Sequence, residues 1–209
     1  MPTRKSLFIE WLLRAFAIAA YLVMIGAVAV NWIRDTSQYS LLLLLVSEGI
    51  TLGLIVFARA ASLRDASLIP VLATIYTTTF FLFLDPDPTI RLIPEWAAGI
   101  LQGLGLIWQM YSKITLGRSF GVLPAARGLV VSGPYRFMRH PIYLAYLVGE
   151  LGFLLANASV RNLLLIVALF LTHLIRMLRE ETALESSEFG AAYSQYKSKV
   201  RYRLLPKIF

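Results

Sequence analysis

Long apolar segments separated by short polar ones constrain this chain more than any other feature of its sequence. A helix needs about 20 apolar residues to cross the hydrocarbon core of a bilayer, and several segments reach or approach that length. Charged residues make up only 15% of the chain, which is low for a soluble protein. Hydropathy predicts six spans, at Leu7–Trp32, Ser40–Ala60, Ser67–Leu84, Pro94–Leu116, Pro141–Asn157 and Leu163–Met177. The expected fold is all-α, a polytopic integral membrane bundle of about six transmembrane helices.

The basic residues predict how these spans are oriented. Most of them lie before the first span, after the second, between the fourth and fifth, or after the sixth, and the opposite side has only Arg34, Arg91 and Arg161. By the positive-inside rule, both termini and the central loop are then cytosolic in a multi-pass protein. The last span is expected to continue as a cytosolic helix, because helical spacing persists from Arg176 until Gly190. The net charge of +8 then reflects topology and contact with anionic membrane lipids, and nucleic acid is not an expected partner.

The chain contains no cysteine, which excludes disulfides, thiolate metal sites and a cysteine nucleophile. No metal is expected.

Polar residues gather in three places that the topology puts on one side: the loop Gly117–His140, the start of the fifth span, and the helix after Thr172. Ionisable groups in a membrane are costly, by about 2.5–3.5 kcal/mol at a helix centre on insertion scales. Within the loop, the string GPYRFMRHPIY from Gly133 to Tyr143 sets two arginines and a histidine directly before a proline. Single basic residues there could simply anchor headgroups, but the whole string indicates a binding site.

This string is followed by Glu180-Glu181, Leu184, Phe189-Gly190, Tyr193, Tyr196 and a basic segment ending in Leu205-Pro206. Together these motifs resemble the isoprenylcysteine carboxyl methyltransferase family and its relatives, the phospholipid N-methyltransferases. The resemblance runs roughly from Gly99 to the C-terminus. It implies S-adenosylmethionine bound near the cytosolic face and a lipophilic small-molecule or prenylated acceptor entering from the bilayer. It also divides the single membrane domain into N-terminal helices at 1–92 and a methyltransferase core at 93–209.

The resemblance assigns roles to individual residues. The cofactor-binding residues it implies are Gly103, Gly105, Tyr135, Arg136, His140, Pro141, Tyr143, Glu181, Tyr193 and Tyr196, and the catalytic residues are Arg139 and Glu180. Basic groups of the string can pair with the cofactor's carboxylate, and the tyrosines offer faces for the adenine or the sulfonium. One of the two adjacent glutamates would bind a ligand group while the other pairs with an arginine such as Arg176.

The two glycines of the fourth span allow a second interpretation. Phospholipid N-methyltransferases carry a G-x-G spacing on a transmembrane segment beside the cofactor. Gly103 and Gly105 have this spacing, and the resemblance would place them beside the cofactor as well. Small residues at this spacing also allow two helices to pack closely, and the sequence favours that reading slightly.

The residues of the string and of the helix after Thr172 fit more than one function. A carboxylate acceptor would need a cation such as Arg139, whereas an amine acceptor would need a base such as Glu180 or Glu181. The Glu-Glu-x-x-Leu and Phe-Gly spacings favour the isoprenylcysteine type over a phospholipid N-methyltransferase. Membrane reductases that bind NADPH carry a similar Arg-His-Pro string followed by Asn-Tyr, and Ile142 in this chain disfavours that group. The non-enzyme alternative is a lipid-binding membrane scaffold.

Overall fold

The computed structural model describes residues 4–34, 36, 39–59, 61–85 and 90–205 of the chain. Pro206, the last residue of the resembling segment, lies outside this part. Within it the helices are α1 Arg4–Arg34, α2 Tyr39–Val56, α3 Leu68–Thr79, α4 Glu95–Leu116, α5 Pro141–Ala156, α6 Val160–Glu185 and α7 Gly190–Lys199. Short 3-10 helices follow α3 at Phe80–Phe83, follow α4 at Gly117–Ser119, and precede α5 at Gly133–Arg136.

The mostly helical fold predicted from hydropathy is confirmed, because each of the six apolar segments overlaps one of the first six helices. Helix length does not confirm the predicted number of crossings. In the described residues, two helical stretches are long and apolar enough to span a bilayer, Leu7–Arg34 and Val160–Glu185. The 12 residues of α3 extend only about 18 Å, well short of a hydrocarbon core of about 30 Å. Six crossings therefore stay a prediction.

Two short β pairings depart from the all-α expectation. Strand β1, Leu63–Arg64, pairs antiparallel with β2, Ala125–Ala126, and a single bridge joins Ile90 to Ala158. The first pairing ties the connection between α2 and α3 to the long loop between α4 and α5. Strands of two residues have no hydropathy period that a sequence could reveal.

The surface of α4 shows how the bundle meets its surroundings. Its outward stripe consists of large apolar side chains that are all exposed: Trp96, Ile100, Leu104, Ile107, Tyr111 and Ile114. Its buried face carries Gly105, Gln109, Ser112 and Lys113. A water-soluble helix has the reverse arrangement, with its apolar stripe towards the core. An apolar exterior and a polar interior suit a helix surrounded by lipid.

Helices α4 and α5 form the most extensive contact of the bundle. Gly105 allows this contact, because a Cβ atom there would lie 2.7 Å from the backbone nitrogen of Gly149 and 2.8 Å from the carbonyl oxygen of Ala145. On the other sides, α2 packs against α1 and α4, and α6 packs against α3, α5 and α7. These contacts surround an interior cavity that holds the candidate site.

Several basic residues that supported the predicted orientation lie inside the protein. Lys113, Arg127, Arg139 and Arg176 are all buried. Lys113 donates to Thr51 Oγ1 at 2.6 Å, so its charge serves the bundle interior rather than a lipid headgroup. The charge bias that remains on the surface is accordingly smaller than the sequence suggested, and the cytosolic placement of the termini stays a prediction.

Candidate functional site

A glycine turn places the basic string beneath the helical bundle. Gly133 adopts the left-handed backbone conformation, with φ of 57°, and a Cβ atom there would lie 2.9 Å from Thr115 Cγ2. Glycine is therefore favoured at this position both by its backbone and by the close approach to α4. The following 3-10 turn leads into His140, the N-cap residue of α5, and Pro141 occupies the first turn of that helix, where a missing N–H costs nothing.

Glu181 of α6 is the centre of a buried ionic cluster. Its Oε1 lies 2.9 Å from Arg139 Nη1 and 3.1 Å from His140 Nε2. Its Oε2 accepts from Arg203 Nη2 at 3.1 Å. The Glu181 side chain is only 5% exposed, so these contacts form in a medium where charge pairing is strong. The cluster joins the string before α5 to the end of α6 and to the C-terminal segment.

The segment after α7 runs alongside the arginine and histidine of the string. The backbone nitrogen of Arg139 donates to the carbonyl oxygen of Tyr202 at 3.0 Å, and that of His140 donates to the carbonyl oxygen of Arg203 at 2.9 Å. Arg139 Nη2 also donates to the carbonyl oxygen of Arg201 at 3.2 Å. The C-terminal segment is thereby part of the site. Sequence reasoning noted its basic character without assigning Arg203 a role.

A second chain of contacts starts from Glu180, the neighbour of Glu181 on α6. Its Oε1 accepts from the Tyr143 hydroxyl at 2.8 Å. Arg176 Nε lies 3.4 Å from the same hydroxyl oxygen, and its Nη1 donates to Thr74 Oγ1 of α3 at 2.8 Å. The sequence suggested Arg176 as a local partner of the glutamate pair. The structure instead joins the two side chains through Tyr143.

Three buried tyrosines form the wall nearest the ionic cluster. The Tyr196 hydroxyl donates to the carbonyl oxygen of Tyr135 at 2.6 Å, and the Tyr193 and Tyr196 rings lie 6.0 Å apart between centroids. Burial raises the pKa of the phenol in each of the three tyrosines above its ordinary value. The phenols are therefore neutral hydrogen-bond donors at physiological pH.

An interior cavity of about 1110 Å³ opens beside these groups. Nine of the predicted site residues contribute to its wall, namely Gly103, Gly105, Tyr135, Arg139, His140, Tyr143, Glu180, Tyr193 and Tyr196. The sequence prediction that these residues converge agrees with their placement. Pro141 and Glu181 are buried and do not line the cavity, and Glu181 holds Arg139 and His140 from behind its wall.

Arg136 does not join the other predicted residues. Its side chain is exposed, and its guanidinium lies 4.6 Å from the centroid of the Phe137 ring. The 3-10 turn rotates Arg136 away from the site while Arg139, three residues later, points inward.

The two glycines of α4 also differ. Gly105 packs against α5, whereas a Cβ atom at Gly103 would meet no atom within 4 Å.

The cavity wall includes ionisable and polar residues that the sequence analysis did not select: Glu48, Gln109, Lys113, Glu150 and His173. They come from α2, α4, α5 and α6, which are mainly apolar helices. A charged residue in a predicted span is itself a signal of function, and it could have identified Glu48 and Glu150. Their convergence on one cavity required the helix packing.

Comparison with known protein families finds a match to the phospholipid methyltransferase family over residues 95–191. Comparison with curated proteins gives no match. The matched stretch contains α4, α5, α6, the string between Gly133 and Tyr143, and both glutamates of the site. The family resemblance predicted from these motifs is thus confirmed, and over residues 95–191 this chain matches the phospholipid methyltransferases, the family that also covers the isoprenylcysteine carboxyl methyltransferases.

Proposed function

We propose that this protein is a membrane methyltransferase that uses S-adenosylmethionine to methylate a lipophilic acceptor, such as the carboxylate of an isoprenylcysteine. The observation that carries the proposal is the convergence of Arg139, His140, Glu180 and Tyr143 on one large cavity within the family-matched stretch. The apolar exterior of the helices supports the membrane location.

The chemistry of the cavity wall fits this cofactor. S-adenosylmethionine carries a carboxylate, an ammonium, a sulfonium and an aromatic base. Arg139 offers Nε, which is buried with no hydrogen-bond partner among the described residues, and such a donor suits a carboxylate. Glu180, whose side chain is 28% exposed, suits a cationic or hydroxyl group. Tyr135, Tyr193 and the neighbouring tyrosines offer aromatic faces for the base or the sulfonium.

The bound cofactor supplies an electrophilic methyl group. The residues of this chain would contribute mainly by orienting the reactants at about 3–3.5 Å and by excluding water. Glu181 positions Arg139 and His140 rather than touching the ligand, since it lies behind the wall. Arg139 would hold a carboxylate acceptor, and Glu180 would accept the proton of an amine acceptor.

A phospholipid N-methyltransferase is the second candidate, and the description of the matched family favours it. The two candidates differ in the charge of the acceptor. An ammonium lipid needs a carboxylate in the cavity wall, and Glu180 is available there with one oxygen held by Tyr143.

The first test is calorimetric titration of the detergent-purified protein with S-adenosylmethionine, S-adenosylhomocysteine and NADPH. We expect saturable binding of the first two and a weakened affinity in the Glu180→Gln and Tyr143→Phe variants. The matched control is Glu188→Gln, which changes an exposed glutamate in the turn between α6 and α7. Binding of NADPH alone would assign the protein to the reductases. Binding of none of the three would leave the lipid-binding scaffold as the better explanation.

The acceptor class is tested with tritium-labelled cofactor and two lipids whose reacting groups differ, a carboxylate in one and an amine in the other. Transfer to N-acetyl-S-farnesylcysteine would support the isoprenylcysteine type, and transfer to phosphatidylethanolamine would support the phospholipid type. In the first case Arg139→Lys should reduce transfer more than Glu180→Gln does, because the carboxylate needs the planar guanidinium. In the second case the order should be reversed.

We also propose that the chain crosses the membrane six times with the site on the cytosolic side. The absence of cysteine makes this directly testable, since a single introduced cysteine is the only thiol. Ser132, beside the site, and Arg161, at the start of α6, are both exposed. A membrane-impermeant maleimide should label Ser132→Cys only in inside-out vesicles and Arg161→Cys only in right-side-out vesicles. Labelling of both variants in the same vesicles would refute this topology.

A further inference from the structure

Helix α3 reaches the candidate site through the buried hydroxyl of Thr74. Its Oγ1 accepts from Arg176 Nη1 of α6 at 2.8 Å and donates to the carbonyl oxygen of Val122, in the loop between α4 and α5, at 3.3 Å. Through Arg176 and Tyr143 these contacts continue to Glu180, and the four side chains form one hydrogen-bond network. Thr74 lies outside residues 95–191, the stretch that matches the family. The N-terminal part of the chain is therefore connected to the site.

The guanidinium of Arg176 fixes the direction of the hydrogen bonds in this network. A guanidinium has donors and no acceptor, so Thr74 Oγ1 and the Tyr143 hydroxyl both accept from it. The Tyr143 hydroxyl has one proton, which it donates to Glu180 Oε1 at 2.8 Å. An ionised carboxylate has only acceptors, so both ends of the network require the same direction. The network is thus satisfied by one arrangement of protons, which leads from Arg176 to Glu180.

The planar shape of the guanidinium couples its two contacts. Nη1 reaches Thr74 on α3, and Nε lies 3.4 Å from the Tyr143 hydroxyl oxygen on α5. Because the group is planar and rigid, the bond to Thr74 also sets the direction in which Nε points. Arg176 is buried, so bulk water does not compete for either contact. Loss of the Thr74 hydroxyl would therefore disturb the contact at Tyr143 as well.

The network holds one oxygen of Glu180 and leaves the other available. Oε1 accepts from Tyr143, while Oε2 lies 4.0 Å from His140 Nδ1, which is beyond hydrogen-bond distance. The Glu180 side chain lines the cavity. A glutamate without restraint samples several rotamers and loses that freedom when it binds a ligand. Fixing Oε1 limits the positions of Oε2 before a ligand arrives, which favours binding.

We propose that Thr74 and Arg176 are positioning residues, which act through Tyr143 to hold Glu180 in the orientation that binds the ligand. The proposal deepens the proposed function by giving the N-terminal part of the chain a role at the cofactor site. It rests on that function only for the identity of the ligand.

The positioning can be measured without any ligand, because His140 Nδ1 lies close to Glu180 Oε2. Protein labelled with nitrogen-15 at its two histidines gives imidazole signals that a His140→Gln variant assigns. Thr74→Val keeps the shape of the side chain and removes the hydroxyl, whereas Thr74→Ser keeps the hydroxyl. We expect Thr74→Val to shift the His140 signals and Thr74→Ser to leave them near their original positions.

Two comparisons separate positioning from a general disturbance of helix packing. Thr78 lines the same cavity, but its hydroxyl donates to the carbonyl oxygen of Thr74 within α3, so Thr78→Val should leave the His140 signals unchanged. In a Glu180→Ala background, Thr74→Val should cause no further shift, because no carboxylate is left to move. No shift with Thr74→Val, or an equal shift in both backgrounds, would overturn the proposal. Thr74→Ala provides the same comparison if Thr74→Val does not fold.

The consequence for binding is measured by calorimetric titration with S-adenosylhomocysteine. Thr74→Val should lower the affinity about three- to tenfold, the range expected for the loss of one hydrogen bond, and Thr74→Ser should retain it. In Glu180→Ala protein, the added Thr74→Val change should lower the affinity no further. Equal losses in the two backgrounds would show that Thr74 acts independently of Glu180 and would contradict the positioning role.

Failure of this inference is distinguishable from failure of the proposed function. Saturable binding of S-adenosylhomocysteine that Thr74→Val does not weaken would remove the positioning role and leave the methyltransferase proposal standing. His140 shifts that depend on Glu180, in a protein that does not bind S-adenosylhomocysteine, would support the positioning of Glu180 and refute the proposed cofactor.

Discussion

Replacing Glu181 with alanine should destabilise the protein far more than replacing Glu185 one turn later on α6. Glu181 is the one carboxylate that contacts both Arg139 and Arg203 within the described residues, and it also contacts His140. Removing one partner of a buried ion pair costs about 3–5 kcal/mol, because the remaining charge stays buried without compensation.

The structure narrows this range. The Arg203 side chain is 27% exposed, so its guanidinium can turn towards water when the carboxylate is removed. The Arg139 side chain is only 6% exposed, so its guanidinium cannot turn towards water in this way. We therefore expect about 3 kcal/mol for Glu181→Ala, near the lower limit of the range. Glu181→Gln should cost less, since the amide oxygen still accepts a hydrogen bond.

The matched control is Glu185→Ala. Glu185 pairs with Lys197 at 2.7 Å, but both side chains are more than 40% exposed, and such surface pairs contribute about 0–1 kcal/mol. The assay is unfolding of the detergent-solubilised protein by sodium dodecyl sulfate, followed by tryptophan fluorescence. Equal unfolding midpoints for Glu181→Ala and Glu185→Ala would refute the reasoning, because the cluster around Glu181 would then contribute no more than a surface pair.

Two further predictions concern the assembly of the bundle. Gly105→Ala should lower the unfolding free energy by about 1–3 kcal/mol because the added Cβ forces α4 and α5 apart, while Gly103→Ala should not, and thermal unfolding of the two variants checks this. Arg127 Nη2 lies 2.8 Å from Glu10 Oε1 in a pair that is almost fully buried and joins α1 to the loop after β2. In a double-mutant cycle with Arg127→Leu and Glu10→Leu, the double variant should lose less unfolding free energy than the sum of the losses in the two single variants. Strict additivity of the losses would contradict a direct interaction.

The helices of this protein could be predicted from the sequence because hydropathy is a local property. Each apolar segment overlaps one helix, and hydropathy predicts the start of α4 at Pro94, one residue before its start at Glu95. The extent of α6 was harder to predict. It runs as one helix to Glu185 and then breaks before α7, whereas the helical spacing in the sequence continued to Gly190. The break depends on local turn contacts, such as Ser187 donating to the carbonyl oxygen of Leu184 at 2.8 Å.

The helical, apolar character of the chain follows from its sequence, and its motifs indicate the residues around which a site forms. The contact of Arg139 with Glu181, the surface position of Arg136, and the meeting of Glu150 and His173 across two helices follow from the folded arrangement alone. The physical reason is that hydropathy and motif spacing describe neighbours along the chain, over a few helical turns at most. Ion pairs and cavities depend on which helix faces which, and the sequence gives no distance between residues that lie 23 or 42 positions apart.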